Sequence, residues 1–386
     1  MSSAVILGGV GAVGIEASRD FIETSGFDEI IIADYNISRA KEFVEEEGDE
    51  RVKAVKVDVN DLDSLRNVLS GHDIVINALP FKYDYIVSKV AVEEGVSGVD
   101  VATDDDQLSL NNIAIDNRVL FVPGVGATPG TTNLMARKAV DLLDEVNTIE
   151  IFWAAFRSTA PSPGLLHVTI WEFDPELEER VVYVDGEWRR VPPYEGVKTV
   201  DFFPLIGRRE TVYVPHSETY TLPKYLPRDK RPKYVYVRGT WPDETMNLLK
   251  VLLYYGFYED KPVDFNGVSV KPMSFIYNFL LNSRQARETR VWGYGLRVEV
   301  LGVKNGRPAK VVVWNEHPYD VDGWEGSRAY FRSIGNPLSI GAQLIASGDT
   351  MVEYGVLPPE AAFNPDTFFK ELGKRGIEIK WEVQYL

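Results

Sequence analysis

The chain has 386 residues, no cysteine, and 41 basic against 58 acidic side chains, a net charge of −17. A chain of this length buries a core without covalent staples, and the missing thiols exclude a disulfide framework, thiolate metal ligation and a cysteine nucleophile. So acidic a surface repels phosphate backbones and anionic lipid, no apolar run reaches bilayer-spanning length, and MSSAVILGGVGAVG lacks the basic start of a signal peptide, so the expectation is a cytoplasmic protein that acts on a small molecule, with no nucleic-acid or membrane partner.

The first third alternates short apolar runs with helical patterns. Ala4–Leu7, Ile30–Ala33, Val52–Val59, Ile74–Leu79, Val99–Val101 and Val119–Val122 read as strands. Between them Ile15–Thr24, Ser38–Glu47, Asp61–Leu69 and Tyr83–Glu94 read as helices, the acidic run Glu45–Glu47 on a solvated helix end. Continuous rather than alternating apolar strands indicate a parallel sheet covered on both faces, and right-handed crossovers make it a doubly wound α/β Rossmann sheet. After Ile149 aromatics and prolines become dense, and Lys233–Arg238, Leu296–Val303 and Ala309–Trp314 look like antiparallel strands, the last two joined by the hairpin signal Asn305-Gly306. The reading is a second α+β substrate or dimerisation domain. The expected division is a dinucleotide-binding domain over 1–130, an α+β domain over 131–325, and a C-terminal segment over 326–386 that packs back on the first domain, with helices at Ser339–Ala346 and Asp366–Lys374.

Gly9-Val10-Gly11-Ala12-Val13-Gly14 follows an apolar strand and opens a helix. Such glycines allow a tight turn, close approach of the backbone to a pyrophosphate, and packing of helix on strand. Asp34 ends the next strand, twenty residues after Gly14, at the spacing of the carboxylate that binds a ribose 2′-hydroxyl. That carboxylate repels a 2′-phosphate, which favours NAD over NADP. Arg39 in the following helix is the feature that would admit NADP. Asp58-Val59, ending the third run, is a candidate for adenine-edge contacts or a helix cap. Asn77-Ala78-Leu79-Pro80, where the strand order reverses, is a candidate for the ribose and nicotinamide region.

The chain resembles the saccharopine dehydrogenase family, the group of saccharopine reductase, lysine 6-dehydrogenase and carboxynorspermidine dehydrogenase. The resemblance rests on the glycine fingerprint with Asp34, Asn77–Pro80, Val99–Val101, Pro123–Asn133, Pro161–Gly164 leading to Trp171-Glu172, Tyr236–Gly239, Arg332–Pro337 and Gly355–Glu360. It implies an NAD(P)-dependent oxidoreductase acting on an amine or imine C–N bond of an amino-acid or polyamine-type substrate, with a second domain that carries the substrate site and often a dimer interface. A homodimer is expected accordingly. The chain departs from saccharopine reductases at Thr128, where they carry Asp before Pro-Gly, and at Thr103, where they tend to carry an aromatic residue or Cys.

Hydride transfer needs no protein nucleophile, but substrate carboxylate and proton must be managed. Arg157 and Arg238 are candidates for a carboxylate fork, or else members of ion pairs. Among His72, His167, His216 and His317, the sequence favours His167, at the start of an apolar strand, as proton carrier. Asp104, past the fifth strand, is a candidate site carboxylate or helix cap, and Asn133 a candidate to orient substrate or nicotinamide amide. The histidines are scattered without metal-ligand spacing, so no metal is expected. Two alternatives stay open: a nucleotide-binding redox sensor or structural protein without turnover, and a dehydrogenase of another carbonyl substrate.

Overall fold

The computed structural model describes residues 2–386. The first domain runs β1 (Ser3–Leu7), α1 (Gly14–Thr24), β2 (Glu29–Asp34), α2 (Ile37–Glu47), β3 (Val52–Lys56), α3 (Leu62–Leu69), β4 (Ile74–Asn77), α4 (Asp84–Glu93), β5 (Ser97–Asp100), α5 (Asp105–Ser109), α6 (Asn111–Asp116) and β6 (Leu120–Val122). The strands form a parallel sheet in the order β3-β2-β1-β4-β5-β6, with Gly355–Val356 added beside β6. All five residues of β1 are buried, as a strand covered on both faces requires. Because β1 pairs with β2 on one side and β4 on the other, the strand order reverses at β1 and leaves a crevice above its carboxyl end.

The chain then continues through α7 (Thr131–Asp141), β7 (Glu145–Phe156) and α8 (Pro163–Trp171) into a nine-stranded mixed sheet. β7 lies at its centre, between Tyr234–Thr240 and Gly293–Lys304. The strand Tyr234–Thr240, expected to be antiparallel, runs parallel to β7 and antiparallel to its other neighbours. A hydrophobic run does not encode strand direction; the long connections on either side of this strand decide it. The hairpin at Asn305-Gly306 forms as expected, both residues in the left-handed region (φ 52° and 70°). Along β7, Ile149, Ile151, Trp153 and Ala155 join the core shared with the first domain. The residues between them face the opposite side, where Glu150 pairs with Arg238 and Lys198.

Two local expectations change. The apolar run that begins at His167 is helical rather than extended: Ser162 caps α8 by accepting the Leu165 N–H (3.3 Å), and Pro163 is set for the first turn. An apolar run this short carries no period that separates helix from strand, so the cap decides. The helix expected at Ser339–Ala346 extends over Arg328–Ser347 and packs on α1, where a Cβ on Gly335 would stand 2.7 Å from the Ala17 nitrogen. A buried ion pair, Arg375 to Asp20 at 2.7 and 2.9 Å, ties the C-terminal part to α1. The final strand, Glu378–Tyr385, closes the edge of the second sheet beside Arg307–Glu316.

Candidate active site

The glycine-rich turn between β1 and α1 sits above the reversal point of the first sheet. Its left-handed residue is Gly8 (φ 68°), one position before the fingerprint. A Cβ on Gly14 would fall 2.1 Å from the Gly8 carbonyl oxygen, and one on Gly11 3.0 Å from it, so the turn closes on itself only with bare backbone. No described residue accepts from the Ala12 or Val13 N–H, and both lie at the mouth of α1, where the helix dipole favours an anion. Across the crevice Ala78 and Leu79 pack against Gly8. Asp34 ends β2 with Oδ1 accepting the Asn36 N–H (2.8 Å), and Arg39 lies exposed in the first turn of α2. These groups fit an adenosine ribose at Asp34 and a diphosphate on the Ala12–Val13 amides.

Two residues expected at this crevice make contacts within the protein at the ends of their strands. Asn77 is fully buried and donates to Asp100 Oδ2 (2.8 Å), so its side chain ties β4 to β5 beneath the crevice and only the Ala78–Pro80 backbone continues along the edge. Asp58 lies beyond β3 and accepts both the backbone and side-chain N–H of Asn60 (3.0 Å each), while Asp61 caps α3 and Val59 is buried.

The substrate candidates also separate. Asp104 caps α5 in a reciprocal pair with Gln107. Asn133 is buried, with Oδ1 on the Gly130 N–H and Nδ2 donating to Glu360 (2.9 Å) and Thr221 (3.2 Å). Burial raises the Glu360 carboxyl to about 7 against the hydrogen bonds of Thr221 and Asn133. Arg238 lies on the far face of the second sheet, on Glu150 (2.8 Å), Gly196 O and Tyr213 OH. Arg157 is buried with its terminal nitrogens on the carbonyls of Ser158, Thr159 and Leu165 and on Thr169 Oγ1, its guanidinium 4.2 Å from the Trp241 ring centroid. It borders the seam between domains as a positioned cation, with no free fork. His167 is exposed on α8, its ring 5.8 Å from that of Phe81, which follows Pro80.

The histidine that enters a reactive environment is His216. Its Nδ1 lies 3.2 Å from Thr128 Oγ1, and Thr128 in turn donates to Glu218 Oε1 (2.6 Å). With that hydroxyl proton committed to Glu218, Thr128 accepts from the imidazole, which fixes the proton on Nδ1. Thr132 also donates to Glu218 Oε1, at 2.7 Å. The other ring nitrogen, Nε2, is 3.8 Å from Glu172 Oε1, and Glu172 Oε2 accepts from Trp241 Nε1 (2.9 Å). Burial by itself would lower the imidazole pKa, but the two carboxylates outweigh it and hold His216 at about 9. Burial likewise pushes Glu218 up, and the charge of His216 with its hydrogen bonds brings it below its usual value. Trp153 stands 5.5 Å from the imidazole, and Tyr294 and Tyr330 stack on each other at 5.1 Å, Tyr294 also 6.4 Å from Trp153. Glu218 Oε2, Trp153 Nε1 and Arg157 Nε, all buried, have no hydrogen-bond partner among the described residues.

This cluster draws on the loop before α7, the central strands, the end of α8, the helix Glu218–Tyr225 and the helix Arg328–Ser347. It carries a carboxylate, Glu218, against the hydroxyl of Thr128, the position where an acid was noted as lacking. In the sequence, His216-Ser217-Glu218 and Trp171-Glu172 are the available signals, and neither has the spacing of a recognised motif.

The chain matches known proteins over nearly its whole length. Residues 4–122 match the saccharopine dehydrogenase NADP binding domain, and residues 126–377 the saccharopine dehydrogenase C-terminal domain. Carboxyaminopropylagmatine dehydrogenase of Synechocystis sp. is 24% identical over 394 residues, covering 97% of this chain and 96% of that protein. Saccharopine dehydrogenase [NADP(+), L-glutamate-forming] of Schizosaccharomyces pombe is 26% identical over 139 residues, 36% of this chain and 30% of that protein. Among solved structures, apo saccharopine dehydrogenase (L-Glu forming) from Saccharomyces cerevisiae superposes with a TM-score of 0.72 at 16% identity over the whole of both chains. Homospermidine synthase from Legionella pneumophila, solved with NAD, gives 0.60 at 14% identity over all of this chain and 91% of that one, and shares the fold. With both family domains matched in order across nearly its whole length, the chain belongs to the saccharopine dehydrogenase family of NAD(P)-dependent oxidoreductases.

Proposed function

We propose that the protein interconverts an imine and a secondary or primary amine of an amino-acid or polyamine-type substrate, with His216 as the proton carrier. The observation that carries this reading is the His216 imidazole, oriented by Thr128 at Nδ1 and flanked by Glu218 and Glu172 in the seam between the two domains. A nicotinamide coenzyme, when bound, supplies or accepts the hydride at the carbon of the C–N bond. The chain's own residues manage the nitrogen. In the reductive direction His216 Nε2–H gives up the proton that the nitrogen acquires; in the oxidative direction neutral Nε2 takes it back. Glu218 and Glu172 stabilise the imidazolium, and Trp153, Tyr294 and Tyr330 exclude water from the reacting nitrogen.

The experiment is to follow NADH consumption with mixtures of amino-acid semialdehydes and primary amines, and NAD reduction with lysine and with saccharopine. Amine-dependent turnover in either direction supports the reading; absence of turnover in both, with NADH bound, overturns it.

NAD is the coenzyme this reading favours, because Asp34 offers a carboxylate where a 2′-phosphate would lie. Replacing Asp34 with alanine is expected to weaken NAD about tenfold, ~1.4 kcal/mol, and to narrow the preference over NADP, as measured by fluorescence titration of both reduced coenzymes. Solution as a homodimer in the cytoplasm belongs to the same reading. Support for the dimer comes from the exposed Phe265, Val268, Phe275 and Phe279 on a two-stranded hairpin and the helix after it, an apolar group well suited to the same surface of a second copy. Light scattering at a monomer mass would remove that support.

A further inference from the structure

On α8, His167 and Ile170–Trp171 lie three to four residues apart on one helical face, and Asp174 follows in the turn after the helix. The helix Pro272–Asn282 and the turn at Tyr258–Asp260 lie opposite, and between them is a cleft of ≈ 400 Å³. Its walls are aromatic: Trp171 and His167 on one side, Tyr258 and Tyr277 on the other. The two tyrosines are held by their hydroxyls, Tyr258 donating to Ile170 O (3.1 Å) and Tyr277 to Pro163 O (2.8 Å), so their rings are fixed against α8.

Two carboxylates line the same cleft. Asp174 is positioned by accepting the Glu176 N–H at 2.9 Å, and Asp260 by accepting the Met273 N–H at 3.0 Å. Each uses Oδ1 in this way and keeps Oδ2 for another partner. Asp260 Oδ2 has exposed Lys271 at 3.7 Å, a loose pair that an incoming cation can displace; Arg180, whose charge also acts on Asp174, is committed by its hydrogen bonds to the carbonyls of Glu172 and Asp174. Aromatic faces around acidic oxygens attract an organic cation and repel a carboxylate. The cleft also lies near the coenzyme edge and the proposed reaction centre. Trp171 and His167 lie 5.9 and 5.8 Å from Phe81, next to Pro80 at the coenzyme edge, and Glu172 beside His216 directly follows Trp171 in the chain.

We propose that this cleft is the subsite for the cationic tail of the substrate, an alkylammonium or guanidinium group carried on a chain of several methylenes. The inference rests on the amine/imine reading above and adds the substrate's second end: the reacting nitrogen lies at His216 and a distal positive charge lies between Asp174 and Asp260. A substrate with a carboxylate at that end is rejected by the same two residues. Selection is thus for diamines and guanidinoalkyl amines over simple alkylamines.

The test is calorimetric titration of the purified protein, saturated with NADH, with agmatine, cadaverine and uncharged-tail n-pentylamine. Agmatine and cadaverine are expected to bind at least tenfold more tightly than n-pentylamine, and the doubly substituted Asp174→Asn, Asp260→Asn protein to lose that preference. Asparagine retains the Oδ1 that accepts the Glu176 and Met273 N–H groups, and NADH binding of the same variant reports its folding. If the double variant does not fold, Asp174→Asn alone carries the test, with a partial loss expected. Equal affinity for the three amines, or a preference that survives both substitutions, overturns the proposal. Comparison of agmatine with cadaverine separates the guanidinium from the ammonium tail. Failure of the amine/imine reading shows differently: the cations bind and discriminate as stated, but no mixture with a semialdehyde consumes NADH.

Discussion

Substitution of His216 by asparagine is expected to lower kcat by about 10²–10³-fold while leaving NADH affinity unchanged, because proton transfer by a positioned side chain contributes on this order and His216 has no place in the coenzyme crevice. Asparagine approximates the size of the imidazole and can still donate to Thr128, so the cluster keeps its packing. The pH profile is the sharper readout. His216, held at about 9, is protonated at neutral pH, so imine reduction by the native protein is expected to be flat through neutrality and to fall above about pH 9, whereas amine oxidation rises toward pH 9. Both limbs disappear in His216→Asn. A profile that keeps its limb in the variant assigns the proton to another group. The same shift affects stability. The folded value lies above the ordinary 6.5, so the contribution from His216 is complete below pH 6.5 and is lost as pH rises toward 9, which a urea-denaturation series at several pH values detects.

Gly14→Ala is expected to have the largest effect on coenzyme binding. The added Cβ would stand 2.1 Å from the Gly8 carbonyl oxygen and 2.9 Å from its carbon, both backbone atoms, so the strand-to-helix turn must open. Overpacking of this kind costs about 1–3 kcal/mol, and the displacement moves the Ala12 and Val13 amides, which are expected to receive the diphosphate. The expected result is at least a hundredfold weaker NADH binding with a lowered thermal midpoint. A variant that binds NADH like the native protein would show that the diphosphate does not lie on this turn. Gly373→Ala, near the end of the helix Pro365–Lys374, with open space around it and no positive φ, is the control for generic loss of a helical glycine.

The parts of the site visible from sequence are those whose physics is local. Gly9–Gly14 and Asp34 belong to one strand-turn-helix-strand unit, in which spacing along the chain is spacing in space, and the structure keeps them together at the crevice. Asn77 illustrates the limit: its position at a strand end was legible, but Asp100 on the neighbouring strand draws its amide inward, and strand pairing is not written in either segment. Arg238 reads in the sequence as a strand-end residue before Gly239, yet the parity of its strand puts it on the outer face, opposite Phe152 rather than Trp153.

His167 and His216 show the same division within the second domain. His167 drew attention because it lies close in sequence to the proline-glycine loop, and it ends on the exposed side of α8. His216 carries locally only the nearby Glu218; the rest of its environment comes from Thr128 and Glu172, separated from it by 88 and 44 positions. An imidazole flanked by two buried carboxylates exists only once the second sheet has brought β7, the end of α8 and the helix Glu218–Tyr225 against the loop before α7.

Periodicity, glycine spacing and one acidic strand end therefore determined the doubly wound sheet and its nucleotide crevice, because those features act over a few residues and need only the local backbone. The tertiary structure alone decided strand direction in the second sheet, the face on which each polar side chain lies, and which histidine is charged, because these depend on low-dielectric contacts between segments far apart in the chain.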